Sequence, residues 1–181
     1  MEGAWEDNHF RGPCERRNQV TAGSTTIVVM ERCSIVSMER WGTDEVLEQV
    51  ACAGGDAEAV ARAVVGWANS HPRIRIKGGK GRFDRALTMY ADPGRGKGVL
   101  SLYAAENGGG PMLELRIEQI CSMPPYDSDE ARVQLTADLR ALDIPRLDHE
   151  EILAAPRPNI PLDQLTGGRL ECLLILVDRC I

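Results

Sequence analysis

An alternation of apolar and charged residues, broken by short glycine-rich links, runs from residue 73 to residue 120 and dictates a sheet. In RIRIK (73–77), Ile74 and Ile76 fall on one side of an extended chain and Arg73, Arg75 and Lys77 on the other. MLELRIEQI (112–120) repeats the pattern, with Leu113, Leu115 and Ile117 set against Glu114, Arg116 and Glu118. RALTMYA (85–91) and VLSLYAA (99–105), lying between them, are also compatible with strands. The links GGKGRF, DPGRGKG and ENGGG carry glycines for turns with positive φ. They are too short for a parallel crossover, which needs about a dozen residues, so four strands in an antiparallel meander are expected. Such a sheet has one apolar face, which other elements must cover.

Helical periods flank the strands. TDEVLEQVACAGG opens with Thr43 as a candidate cap, places acids in the first turn, and aligns Val46, Leu47, Val50 and Ala51 before Gly54 and Gly55 stop it. Asp56 is placed to cap a second helix, whose Val60, Val64, Trp67 and Ala68 share a face and which ends at Pro72. Beyond the sheet, DSDEARVQLTADLRALD reads as a helix with an Asp127 cap, Glu130 three residues on, and Leu135, Leu139 and Leu142 in line. The proline-punctuated segment 144–165 is expected to wrap the surface before a short helical turn. RLECLLILVDRCI closes the chain with Leu170, Leu173, Leu174 and Val177 at helical spacing; its continuous LLILV run also suits a buried strand, and its length favours helix. The expected fold is α+β, in the order α-α-β-β-β-β-α-α, with helices packed on one face of a small four-stranded sheet.

Residues 1–37 show no sustained period and mix charge with Gly, Pro and Asn, apart from one β-branched run at 25–30. They are read as a loosely structured arm, leaving 38–181 as a single domain. At 181 residues, with 43% hydrophobic and 27% charged, the composition is that of a folded protein rather than a disordered one. Six cysteines are dispersed with no close pair and three histidines are equally scattered, so neither a zinc site nor a disulfide framework is indicated. Without an apolar run of signal-peptide or membrane-spanning length, the chain is expected in the cytoplasm, with most thiols as small apolar fillers.

Charge is distributed unevenly. From residue 73 to 97 there are eight basic residues, Arg73, Arg75, Lys77, Lys80, Arg82, Arg85, Arg95 and Lys97, against Asp84 and Asp92. That window of 25 residues carries +6 in a chain of net −6, leaving −12 on the other 156. Alternation aims Arg73, Arg75 and Lys77 away from Ile74 and Ile76, where they are expected to form a basic stripe that the glycine-rich turns extend. Such a stripe suits a phosphate backbone, which needs repeated cations and slim turns. Its plain counterpart is a solvated hairpin, or one paired with the domain's own acids, such as Asp127, Asp129, Glu130, Glu150 and Glu151.

Known catalytic patterns are not matched. GRGKG has Ala91 where a phosphate loop has its first glycine and Gly98 where it has a hydroxyl residue. The other glycines join strand to strand, not strand to helix as in a dinucleotide fold. Asp92 with Glu114 and Arg116 imitates the acid, acid-x-base layout of two-metal nucleases, but arginine in the lysine's place does not shuttle protons. Glu106 is the remaining acid that could join such a site. His149 beside Glu150 and Glu151 reads as a surface cluster, and His71 as a helix-end residue.

Several landmarks occur in a familiar order: WANSHPRIRIKGGKGRF, then MLELRIEQICSMPPYDSDEARVQLTADLRAL, IPRL, RPNIPLDQL and a leucine-rich end. Over about residues 60–180 this resembles an uncharacterised bacterial domain found in restriction- and nuclease-associated proteins. Tyr126 stands for that pattern's phenylalanine after Pro-Pro, Leu142-Asp143 for its Leu-Asn, and Arg157 to Leu162 matches its Arg-Pro-x-Ile-x-Leu close. The pattern's tryptophan-rich turn and aromatic strand are missing here. The resemblance implies the same element order and an association with DNA-related defence or repair; its motifs are structural and imply no catalytic residues. Taken together, the expected function is a binding module without cofactor, metal or catalytic residues, using its basic hairpin face for nucleic acid or an acidic partner. The alternatives are an assembly subunit with no nucleic-acid role and a divergent metal-dependent nuclease.

Overall fold

The computed structural model describes residues 40–80, 85–91, 96–104, 109–147 and 157–181. All of them fall in one compact unit spanning Ser37–Ile181. The expected arm, with Cys14, Cys33 and His9, lies outside the described residues, as do Arg82, Asp84, Asp92, Arg95, Glu106 and His149 to Glu151.

Two helices lead. α1 (Thr43–Ala51) buries Val46, Leu47 and Val50, and α2 (Ala57–Ser70) buries Val60, Ala61, Val64, Val65 and Ala68. The residue that caps α1 is Gly42, not Thr43: Glu45, three residues into the helix, accepts the Gly42 backbone N–H at 2.7 Å. Asp56 does sit at the start of α2, without a side-chain capping bond.

The sheet follows as β1 (Ile74–Gly78), β2 (Ala86–Ala91), β3 (Lys97–Tyr103) and β4 (Met112–Leu115), each antiparallel to the one before. The meander implied by the short links is therefore present, but the sheet has five strands rather than four. The fifth, β5 (Asn159–Pro161), comes from the proline-rich segment and pairs antiparallel with β4 through Met112↔Pro161, Leu113↔Ile160 and Glu114↔Asn159. Pro161 tolerates this position because it lies on the outermost strand of the described sheet. β4 is shorter than its alternation suggested. Arg116 leaves the strand at φ −91°, ψ 73°, and Ile117–Ile120 coil into a single turn of helix, α3. The last ladder bond is donated by Arg116 N–H to the Val99 carbonyl at 3.0 Å, after which the chain leaves β3.

A cis bond joins Pro124 and Pro125 ahead of α4 (Asp129–Ala141). Its cap is Ser128, whose hydroxyl accepts Ala131 N–H at 3.2 Å, in place of the expected Asp127. The chain closes with α5 (Arg169–Asp178), settling the leucine-rich end as helix. Its Leu173, Leu174, Leu176 and Val177 are buried in one cluster with Ile74, Leu87, Met89, Leu100, Leu102, Leu113, Leu115 and Ile160 from the sheet. Helices α1, α2 and α4 contribute to the same cluster, so they cover the apolar side of the sheet. Tyr126, buried, donates its hydroxyl to the Leu176 carbonyl at 3.3 Å and ties the Pro-Pro turn to α5. The thiols are less uniformly buried than expected: Cys180 is buried and Cys121 partly so, while Cys52 and Cys172 are exposed.

Candidate functional site

Strand register arranges the sheet's second face as rows of side chains. One row runs Lys77, Thr88, Ser101, Glu114, Asn159, and the next runs Arg75, Tyr90, Gly98. Tyr103 stands two residues from Ser101 on the same face, opposite Met112. Paired positions across antiparallel strands point the same way, so this is a polar face with two aromatic rings, exposed at Arg75 and Lys77 and buried at Ser101 and Glu114.

Arg75 and Lys77 are exposed there. Lys77 Nζ lies 5.0 Å from the centre of the Tyr90 ring, within cation–π range. Neither cation has an ion pair among the described residues. The interior of the face is held by its own bonds. Thr88 Oγ1 and Ser101 Oγ are 3.1 Å apart, and Arg116 Nε donates to Glu114 Oε1 at 2.8 Å, with only 11% of the Glu114 side chain exposed. The Arg116 side chain folds back across β3, where a Cβ on Gly98 would come within 3.1 Å of its Nη1 and 2.9 Å of Thr88 Cγ2. Glycine is required at 98 so that the guanidinium can lie on the backbone. Asn159 Oδ1, at the end of the row, is buried with no hydrogen-bond partner among the described residues.

The remaining cations of the expected strip go elsewhere, and strand parity is the reason. Arg85 precedes β2 on the side of Leu87 and Met89, so it turns toward the helices, donating to Gln49 Oε1 on α1 at 3.0 Å and stacking 5.3 Å from the Trp41 ring. Lys97 pairs with Ala91, which pairs with Ile74, so it too belongs to the helix-covered side; its Nζ donates to the Ser122 carbonyl at 2.7 Å. Arg73 precedes β1 and is exposed at the same end of the sheet as Lys97, whereas Lys80 bridges Arg40 at the opposite end. The expected single stripe is thus divided into an open-face pair, Arg75 and Lys77, and two groups at the ends of the sheet. Arg82 and Arg95 lie outside the described residues.

Two arrangements resemble catalytic sites. Glu114, the described member of the nuclease-like set, is occupied by Arg116. Among the described residues no three His, Cys, Asp or Glu side chains gather as metal ligands. Ser70 Oγ, His71 Nδ1, His71 Nε2 and Asp178 Oδ1 follow one another at 3.2 and 3.1 Å, the spacing of a hydrolase triad. The Trp67 carbonyl, however, lies 2.7 Å from Ser70 Oγ and 2.8 Å from His71 Nδ1. A carbonyl only accepts, so Nδ1 carries its proton there and cannot take one from the serine. Trp67 Nε1 also donates to Asp178 Oδ1 at 2.7 Å, making the cluster a clamp between the end of α2 and the end of α5. Sequence reasoning placed His71 at a helix end but could not find Asp178, which is 111 residues from Trp67.

No helix among the described residues is long and apolar enough to cross a membrane. No family model matches the chain, and no curated protein or solved structure matches it.

Proposed function

We propose that the chain is a binding module in which the exposed β1–β2 part of the polar sheet face takes single-stranded nucleic acid. The observation that carries this reading is the group Arg75, Lys77 and Tyr90: two exposed cations with no acidic partner among the described residues, beside an aromatic ring on a strand surface. Successive side chains on one face of a strand are about 7 Å apart, close to the spacing of phosphates along an extended strand of nucleic acid. Tyr90 adds what a solvated hairpin does not need, a π-face on which a base can stack, and Tyr103 stands on the same face about 14 Å away by strand geometry. The grooves of a duplex call for an inserted helix or ribbon, whereas a flat polar sheet with rings suits splayed bases. The landmarks resembling restriction-associated domains favour the same direction by association only.

Fluorescence anisotropy with a labelled single-stranded oligonucleotide tests the proposal. The wild type is expected to bind with strong salt dependence. Arg75→Glu with Lys77→Glu should abolish binding, and Arg75→Gln with Lys77→Gln should flatten the log–log salt slope by about 1.4, roughly 0.7 per phosphate contact. Tyr90→Ala should weaken oligonucleotide binding at least fivefold while leaving heparin binding unchanged, since only a base stacks. An acidic protein partner becomes the better reading if heparin binds, the oligonucleotide does not, and Tyr90→Ala has no effect. Equal, negligible binding of both polyanions by wild type and variants overturns the polyanion reading and leaves the assembly subunit.

A further inference from the structure

At the end of the sheet where β1 begins, three cations from separate parts of the chain meet around a cavity of about 220 Å³: Arg73 before β1, Lys97 at the start of β3 and Arg179 after α5. Nothing in the local sequence joins them; the fold brings them together. We propose that this cavity binds a small phosphate monoester, at a site separate from the open face.

Charge decides the ligand class. Arg73 has no ion pair among the described residues. Lys97 Nζ donates to a neutral acceptor, the Ser122 carbonyl, so one donor is used and no carboxylate meets its charge among the described residues. Arg179 is offset in part, since its Nη1 meets Asp138 Oδ2 at 3.0 Å with half of the arginine side chain exposed. Three cations against Asp138 and the terminal carboxylate of Ile181, which also lines the cavity, leave a net positive charge among the described residues, so the ligand is an anion. Guanidinium and ammonium groups are also the donors that hold phosphate oxygens best, the first bidentate and the second as a point charge. Size decides the rest. Pockets for drug-sized ligands span roughly 300 Å³ or more, so this smaller cavity suits a phosphate on a short organic group. Met123, Pro124 and Cys180 supply an apolar wall for that group. The wall is fixed on both sides: Met123 and Pro124 lie in the turn tied to α5 by Tyr126, and Cys180 Sγ donates to the Val177 carbonyl at 2.9 Å.

Calorimetric titration of the full chain with inorganic phosphate, and with glycerol phosphate, at fixed ionic strength set by chloride, tests the site. Glycerol phosphate is expected to bind more tightly than phosphate. Arg73→Gln, which breaks no hydrogen bond or ion pair among the described residues, should weaken both at least tenfold without changing the melting temperature of the free protein. Lys97→Gln should do the same to binding, and Arg75→Gln should leave it unchanged, which separates this cavity from the open face. The proposal is overturned if phosphate produces no heat beyond that of chloride, if Arg73→Gln binds as the wild type does, or if succinate binds more tightly than either phosphate.

Discussion

Gly98 shows how one residue without a side chain arranges several that have one. Its missing Cβ leaves room for Thr88 Cγ2 and for the guanidinium of Arg116, which in turn neutralises the nearly buried Glu114. Gly98→Ala should cost about 1–2 kcal/mol by overpacking, measured in urea unfolding, and Thr88→Ser in the same chain should recover part of it by removing the methyl group. Gly78 is constrained differently, because a side chain there would overlap the Trp41 carbonyl. Cys180 offers a pH test at the same scale. Burial pushes its thiol up from 9.0 to about 11, partly opposed by its own backbone hydrogen bond. The unfolded chain therefore releases this proton near pH 9 and the folded chain only near 11. Stability from this group is complete below pH 9 and is lost as the pH rises to 11, by up to about 2–3 kcal/mol. Lysines and tyrosines titrate in the same range, so the relevant measurement is a difference: Cys180→Ala should show a shallower fall in unfolding free energy between pH 9 and 11 than the wild type.

At the scale of elements, the helices are joined by polar ties as well as by the apolar cluster. The tie between α2 and α5 passes through Asp178, which accepts from Trp67 Nε1 and faces His71 Nε2. Asp178→Ala should destabilise the fold by about 1–3 kcal/mol because it leaves the indole N–H without its acceptor. Asp178→Asn, which keeps an oxygen for Trp67, should cost less; equal losses in both variants would show that the charge facing His71, not the indole bond, carries the tie. The strand and helix periods were readable because they depend on residues two to four apart, as the Ile74/Ile76 alternation and the Val60/Val64 spacing show. The ends of elements were read less well. Ser128 displaced Asp127 as the cap of α4, and Gly42 displaced Thr43 at α1, because several neighbouring residues were chemically able to cap and backbone geometry chose among them.

For the whole molecule, the sheet separates two faces of different character. Its apolar side is sealed by the helices, while its polar side presents Arg75, Lys77, Tyr90 and Tyr103. The open face and the end cavity answer to different variants, so loss of oligonucleotide binding in Arg75→Glu with Lys77→Glu should leave phosphate titrations unchanged. Any coupling between them would require an arrangement in which occupancy at Arg73 alters β1, and this is read by repeating the anisotropy titration in saturating glycerol phosphate.

The sequence alone determined the α+β class, the antiparallel meander and the identity of the core helices, because each follows from short-range periodicity and from links too short to cross over. It also located the concentration of positive charge between residues 73 and 97. Only the tertiary structure decided where each charge went. Strand parity sent Lys77 to the open face and Lys97 beneath the sheet, and pairing with residues far along the chain built β5, the Asp178 clamp and the three-cation cavity. A pattern of neighbours states which side a residue can take; the partner that fills that side is set by contacts between segments that the linear order keeps apart.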